Sequence, residues 1–142
     1  MTEQQDVIAA LDVGEVRIGV AITPPGVKIP QPLKTLENNE SILDTIQDLI
    51  AANAITQLVI GNPRNLQGQD TDQTRYVAAF VERLKPVVNI PIHMQDEALT
   101  SVKAEEELKD RKLPYEKGDI DALAATYILS DYIEEHHGAV HA

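Results

Sequence analysis

The sequence predicts an α/β domain: a mixed five-stranded sheet, made of a hairpin meander plus two parallel strands, flanked by helices. Three observations lead there. Short apolar runs end at turn residues in the N-terminal third. Helical and strand periodicities then alternate. The order that results, β-β-β-α-β-α-β-α-α, places a meander before two crossover helices.

The elements follow in order. Val7 to Leu11 is a buried strand that ends at Asp12-Val13-Gly14. Arg17 to Thr23 is a second strand, close enough behind the first to form a β-hairpin across Gly14. Pro24, Pro25 and Gly26 break the chain. Lys28 to Leu36 forms a third strand, and Pro30 and Pro32 confine it to an edge. Ser41 to Ala52 is an amphipathic helix whose inner face is Ile42, Ile46, Leu49 and Ile50. Gln57 to Ile60 is a strand, stopped by Gly61-Asn62-Pro63. Arg64 to Asp70 is a polar, mobile loop. Thr71 to Lys85 is a helix with Val77, Phe80, Val81 and Leu84 turned inward. Ile90 to Gln95 is the last strand, with Asp96 and Glu97 beyond its end. Thr100 or Ser101 caps a charged helix to Lys112, whose acids Glu105, Glu106, Glu107 and Asp110 form a solvated face. Asp119 caps a final helix to Glu135 with Ile120, Leu123, Ala124, Tyr127 and Ile128 as its apolar face.

All 142 residues fit one domain, with residues 1–5 and 136–142 expected to fray. Without cysteine there is neither a disulfide nor a thiolate metal site, which fits a reducing compartment. The N-terminus is polar and acidic where a secretory leader is basic. No apolar run approaches the roughly 18 residues of a membrane helix. A cytoplasmic protein without a membrane partner is the expectation. The formal net charge of -11 opposes broad, non-specific binding to phosphodiester backbones. It leaves room for a local site where metal ions supply positive charge.

Acids gather at element ends: Asp12 after the first strand, Asp96 and Glu97 after the last, Asp119 and Asp121 at the final helix. Ligands of open α/β sheets bind beyond such strand ends. Converging carboxylates repel unless a divalent cation lies between them, and oxygen-only ligation suits magnesium or manganese. Taken singly, Asp12 reads as a turn former and Asp119 as an N-cap. Asp121 complements the helix dipole. Arg17 is equally suited to a phosphate or to a salt bridge on the hairpin.

Four segments together resemble the YqgF/RuvX family of Holliday junction resolvases and pre-16S rRNA nucleases. They are Leu11-Asp12-Val13-Gly14 through Arg17-Ile18-Gly19-Val20-Ala21, Gly61-Asn62-Pro63 with Gly68, Asp96-Glu97-Ala98-Leu99-Thr100-Ser101, and Asp121 to Ala125. The resemblance spans nearly the whole chain. It implies an RNase H-like fold and phosphodiester hydrolysis dependent on Mg2+ or Mn2+ at a two-metal site. Catalytic and metal-holding roles fall on Asp12, Glu97 and Asp121, with Asp96 the other member of its acid pair. Arg17, Arg64, Asn65 and Thr100 would bind nucleic acid. The implied substrate is the 5′ end of precursor 16S rRNA, and the alternatives are branched DNA or a non-catalytic, RNA-binding role in ribosome assembly. Both a monomer and a homodimer remain open. The sequence departs from the family at Val16 and Ala98, where basic residues are usual, at Asn62, and at Glu15, which adds an acid to the turn.

Overall fold

A computed structural model describes residues 6–26, 29–64, 67–97, 106, 110 and 117–136. Asn65, Ala98, Thr100, both frayed ends apart from His136, and most of the expected charged helix lie outside them. Glu106 and Asp110 of that helix are helical and exposed, as a solvated face requires.

Five strands and three helices carry the described fold. The strands are β1 (Ile8–Val13), β2 (Arg17–Ile22), β3 (Gln31–Glu37), β4 (Gln57–Pro63) and β5 (Ile92–Glu97). The helices are α1 (Ile42–Asn53), α2 (Asp72–Leu84) and α3 (Lys117–His136). The sheet order is β3-β2-β1-β4-β5. β1, β2 and β3 pair antiparallel, whereas β1–β4 and β4–β5 are parallel. The mixed sheet agrees with the expected meander and crossovers. β3 is an edge strand, and Pro32 sits beside the register shift at Val20/Ala21, where its missing donor is tolerated.

Strand alternation sorts the core into two layers. Ala9, Leu11, Val13, Ile18, Val20, Leu58 and Ile60 face α1 and α2, where Ile42, Ile46, Val77 and Phe80 complete one cluster. Ile8, Ala10, Ala21 and Val59 face α3 and meet Ala125, Ile128, Leu129, Tyr132 and Ile133. The molecule is therefore a sheet with two helices on one face and one on the other.

Three sequence expectations shift. First, β4 does not stop at Gly61. It continues to Pro63, because Gly61, Asn62 and Pro63 pair with Gln95, Asp96 and Glu97 of β5. The β1 ladder ends at Leu11–Ile60, so β4 has a single neighbour there and Pro63 forfeits no bond on its empty side. The same pairing draws Asp96 and Glu97 into β5. Second, α3 is described from Lys117, so Asp119 lies in its first turn rather than at a cap and Asp121 lies a turn further on. Third, the apolar stripe assigned to that helix divides. Ile128 packs on the sheet, while Leu123 and Ala124 form a separate cluster with Ile120 and Tyr127. α3 is apolar over a wide arc, and periodicity alone does not say which part of such an arc meets the sheet.

α3 lies close because small residues line the sheet beneath it. A Cβ at Gly19 would stand 2.0 Å from the backbone oxygen of Asp121, and one at Gly61 would stand 2.5 Å from Cδ1 of Ile128. The first clash is with backbone and the second with the tip of a flexible side chain. Gly19→Ala is accordingly expected to cost about 3 kcal/mol, the upper end for overpacking, and Gly61→Ala about 1 kcal/mol or less. Urea denaturation of the two variants checks this order.

Candidate active site

Asp12 is the penultimate residue of β1 and pairs with Gly19 on β2. Alternation turns it to the α3 face, where Ala10 precedes it. Gly61 follows Ile60, the partner of Leu11, so glycines flank Asp12 on both neighbouring strands. Neither neighbour covers the carboxyl, and the second turn of α3 occupies the space above.

That turn brings Asp121. Its carboxylate Oδ2 accepts a hydrogen bond from Arg17 Nε at 2.8 Å, an ion pair between residues 104 apart in sequence. Arg17 opens β2 and lies on the same face as Gly19, two residues away. At rest its engagement with Asp121 is neither of the two expected roles. It bridges sheet to helix and does not cap the hairpin.

Burial pushes the Asp12 carboxyl up from 3.8 to about 7, and the nearby Asp121 carboxylate adds to the rise. Burial disfavours the charged form, and a like charge disfavours it again. Two acids are therefore held together on a closely packed framework, with one arginine offsetting part of the charge.

Glu97 ends β5 and pairs with Pro63. Position 97 is two residues beyond Gln95, which is buried and donates from Nε2 to Glu135 of α3 at 2.7 Å. Strand period therefore assigns position 97 to the α3 face, the face of Asp12. Asp96 belongs to the opposite face. Its Oδ1 accepts from Asn62 Nδ2 at 3.0 Å, and its Oδ2 lies 3.6 Å from Nη1 of Arg64. Arg64 also lies 3.4 Å from Asp70. The expected acids thus separate: Asp12 and Asp121 meet, position 97 shares their face, and Asp96 joins Asn62 and Arg64 on the other side. Among the described residues no three metal-ligating side chains gather into one cluster.

Several residues near the site escaped the sequence reading. Gln73 Nε2 donates to the Val13 carbonyl at 2.8 Å, and Asn38 Nδ2 donates to the Gly14 carbonyl at 2.8 Å. Gly19 was noted only as part of a motif. The alternation of Gly19 and Ala21 with Ile18, Val20 and Ile22 was the available signal: beyond Arg17, one face of β2 is small, as a close-packed helix requires. His93 stacks on Tyr132 with ring centroids 5.5 Å apart. Val16 is 68% exposed at the hairpin tip.

A five-stranded mixed sheet with an acid on its first strand and another on the helix that covers it defines an RNase H-like protein. Solved structures agree on the fold. Thermus thermophilus RuvC in complex with a Holliday junction substrate superposes with a TM-score of 0.58 at 13% identity, covering 92% of this chain and 96% of that one. A second T. thermophilus RuvC structure gives 0.53 at 12% identity, covering 93% and 97%. The sequence is more particular: the RuvX Holliday junction resolvase family matches residues 6–135, and the chain belongs to that family. A relative from Sulfurihydrogenibium sp. (strain YO3AOP1) is 40% identical over 89% of this chain and 89% of its own length. One from Roseiflexus sp. (strain RS-1) is 38% identical over 94% and 98%. Both carry the name "Putative pre-16S rRNA nuclease".

The raised Asp12 has a measurable consequence. Between pH 4 and about 7 the native state of the protein without added metal holds a proton that the unfolded chain has released. Stability should then fall as pH rises through that window and level off above it. Asp12→Asn removes this contribution. The variant should gain on wild type from pH 4 to about pH 7, with the difference levelling off by pH 8, in thermal unfolding followed by circular dichroism in chelator.

Proposed function

We propose that this chain is a divalent-metal-dependent nuclease that hydrolyses phosphodiester bonds, and that its substrate is the 5′ end of precursor 16S rRNA. The observation that carries the reading is the pair Asp12 and Asp121, half-buried on a framework that forces them together. Burial and the neighbouring acid make the ionised form of Asp12 unfavourable, and a bound cation would favour it. The donor set is all oxygen, which fits Mg2+ or Mn2+ and no thiolate-seeking metal. Family membership and the names of its relatives supply the class of substrate.

Asp12 and Asp121 would hold the metal, and Glu97 is the third ligand by its place in the register. Asp96 is less suited, since Asn62 and Arg64 engage it on the opposite face. Bound there, a divalent cation lowers the pKa of water and stabilises charge on phosphate oxygens. The protein's own groups do the rest. Arg17 commits Nε to Asp121 and carries donors on two further nitrogens, the fork that grips phosphate oxygens. It orients Asp121 and a phosphate together. Among the described residues Arg64 is held by exposed, loose ion pairs of the kind worth 0–1 kcal/mol, so a backbone phosphate can exchange for them. Asn65 and Thr100 complete the expected nucleic-acid contacts. Local positive charge of this kind is needed in a chain of net charge -11.

Cleavage of a precursor 16S 5′-end RNA, single-stranded DNA and a four-way junction, with Mg2+ or Mn2+, tests the proposal. Wild type should cut the RNA. Asp12→Asn, Asp121→Asn and Glu97→Gln should each lose at least about 100-fold, since loss of mere outer-sphere support already costs 10–100-fold. Asp96→Asn should retain kcat. Preference for the junction would redirect the substrate to branched DNA. No cleavage by wild type, with no saturable Mn2+ binding in calorimetry, would leave an assembly module.

A further inference from the structure

The end of β1 is exposed to a shortage that two side chains relieve. On its β4 side the β1 ladder stops at Leu11–Ile60, so the Val13 carbonyl lies beyond it, and Gly14 lies past the end of the strand. Buried backbone oxygens need partners. Val13 receives Gln73 Nε2 from the first turn of α2 at 2.8 Å. Gly14 receives Asn38 Nδ2 from the β3–α1 connection, also at 2.8 Å. The same amide nitrogen donates to Tyr76 Oη on α2 at 2.8 Å, so both of its hydrogens are committed. The Asn38 backbone N–H in turn bonds Val16 O at 2.9 Å.

α2 is itself anchored for this task. Thr71 and Thr74 form a reciprocal capping box, and Thr74 Oγ1 donates to the carbonyl of Pro63 at the end of β4. One rigid helix end thus holds the ends of β1 and β4. Arg64 follows the second, and Asp12 precedes the first by a single residue. The turn that Asn38 grips, closed by Gly14 N to Arg17 O at 3.0 Å, delivers Arg17.

The geometry points to Gln73 and the Asn38–Tyr76 pair as positioning residues that fix the backbone carrying Asp12 and Arg17. None of them faces α3, and they act through main-chain carbonyls. Polar bonds suit this better than packing. Directional bonds fix a carbonyl within a few tenths of an ångström, whereas a 1 Å displacement at a reacting centre can cost 10²-fold.

The kinetic part of the inference rests on the nuclease reading, and the exchange part does not. Gln73→Glu and Asn38→Asp keep the shape but replace the donor with an acceptor that repels the carbonyl. Each should lower kcat about tenfold, with KM within twofold, at a temperature where both variants stay folded. Gln73→Lys restores a donor of similar reach and should recover most of kcat. Tyr76→Phe releases one hydrogen of Asn38 and should lower kcat two- to threefold. Independently of cleavage, amide hydrogen exchange at Asp12–Gly14 should accelerate at least tenfold in Gln73→Glu, while Lys34 and Thr35 on the far edge strand stay unchanged. If wild type cuts nothing, the exchange result still decides the positioning role. Unchanged exchange at Asp12–Gly14 overturns the inference. So does an unchanged kcat in an active enzyme, or a Gln73→Lys variant no better than Gln73→Glu.

Discussion

The approach of α3 to β2 over Gly19 is the constraint on which the rest of the site depends. The backbone oxygen of Asp121 occupies the volume a side chain at position 19 would need. Only with that volume free does the helix descend far enough for Asp121 to reach Arg17 and to press on Asp12. Ala10, Ala21 and Ala125 continue the same close contact along the helix. A larger residue in this layer would separate the two acids and relax the strain between their charges. A small-residue layer is here a way of concentrating negative charge.

That concentration opposes stability. A half-buried carboxylate beside another one favours the protonated, metal-poor state, and the fold holds it in place through packing elsewhere. The opposite layer contributes Phe80, Leu11, Ile18, Ile42, Ile46, Leu58, Ile60 and Leu84, all almost wholly buried. Burial at roughly 25 cal/mol per Å² of apolar surface in such a layer is ample to carry a strained pair. The division of labour follows the two faces of the sheet. One face is built of large residues and supplies stability, and the other is built of small residues and holds the acids.

Charge at the site is also local in a way the whole chain is not. Arg17 and Arg64 are each committed to acids, one tightly and one loosely. The tight pair serves geometry and the loose pairs leave a cation available. The hairpin tip beside Arg17 carries exposed Val16 and Glu15 and adds no positive charge. On the proposed reading, affinity for a polyanion would come from a bound metal and a few arginines, not from a basic surface.

The sequence by itself determined the element order, the hairpin, the edge position of β3 and the amphipathic faces of α1 and α2, because periodicity and proline chemistry are local. It also placed acids at three element ends. Tertiary structure decided what those acids do. β4 runs on through Gly61–Pro63 only because β5 pairs with it, and that pairing separates position 97 from Asp96 by face. Arg17 finds Asp121 across 104 residues, which no local pattern encodes. Gln73 and Asn38 look like ordinary solvated polar residues until they are seen to bond the carbonyls of Val13 and Gly14. Local chemistry names the groups, and only packing over long separations decides which of them meet.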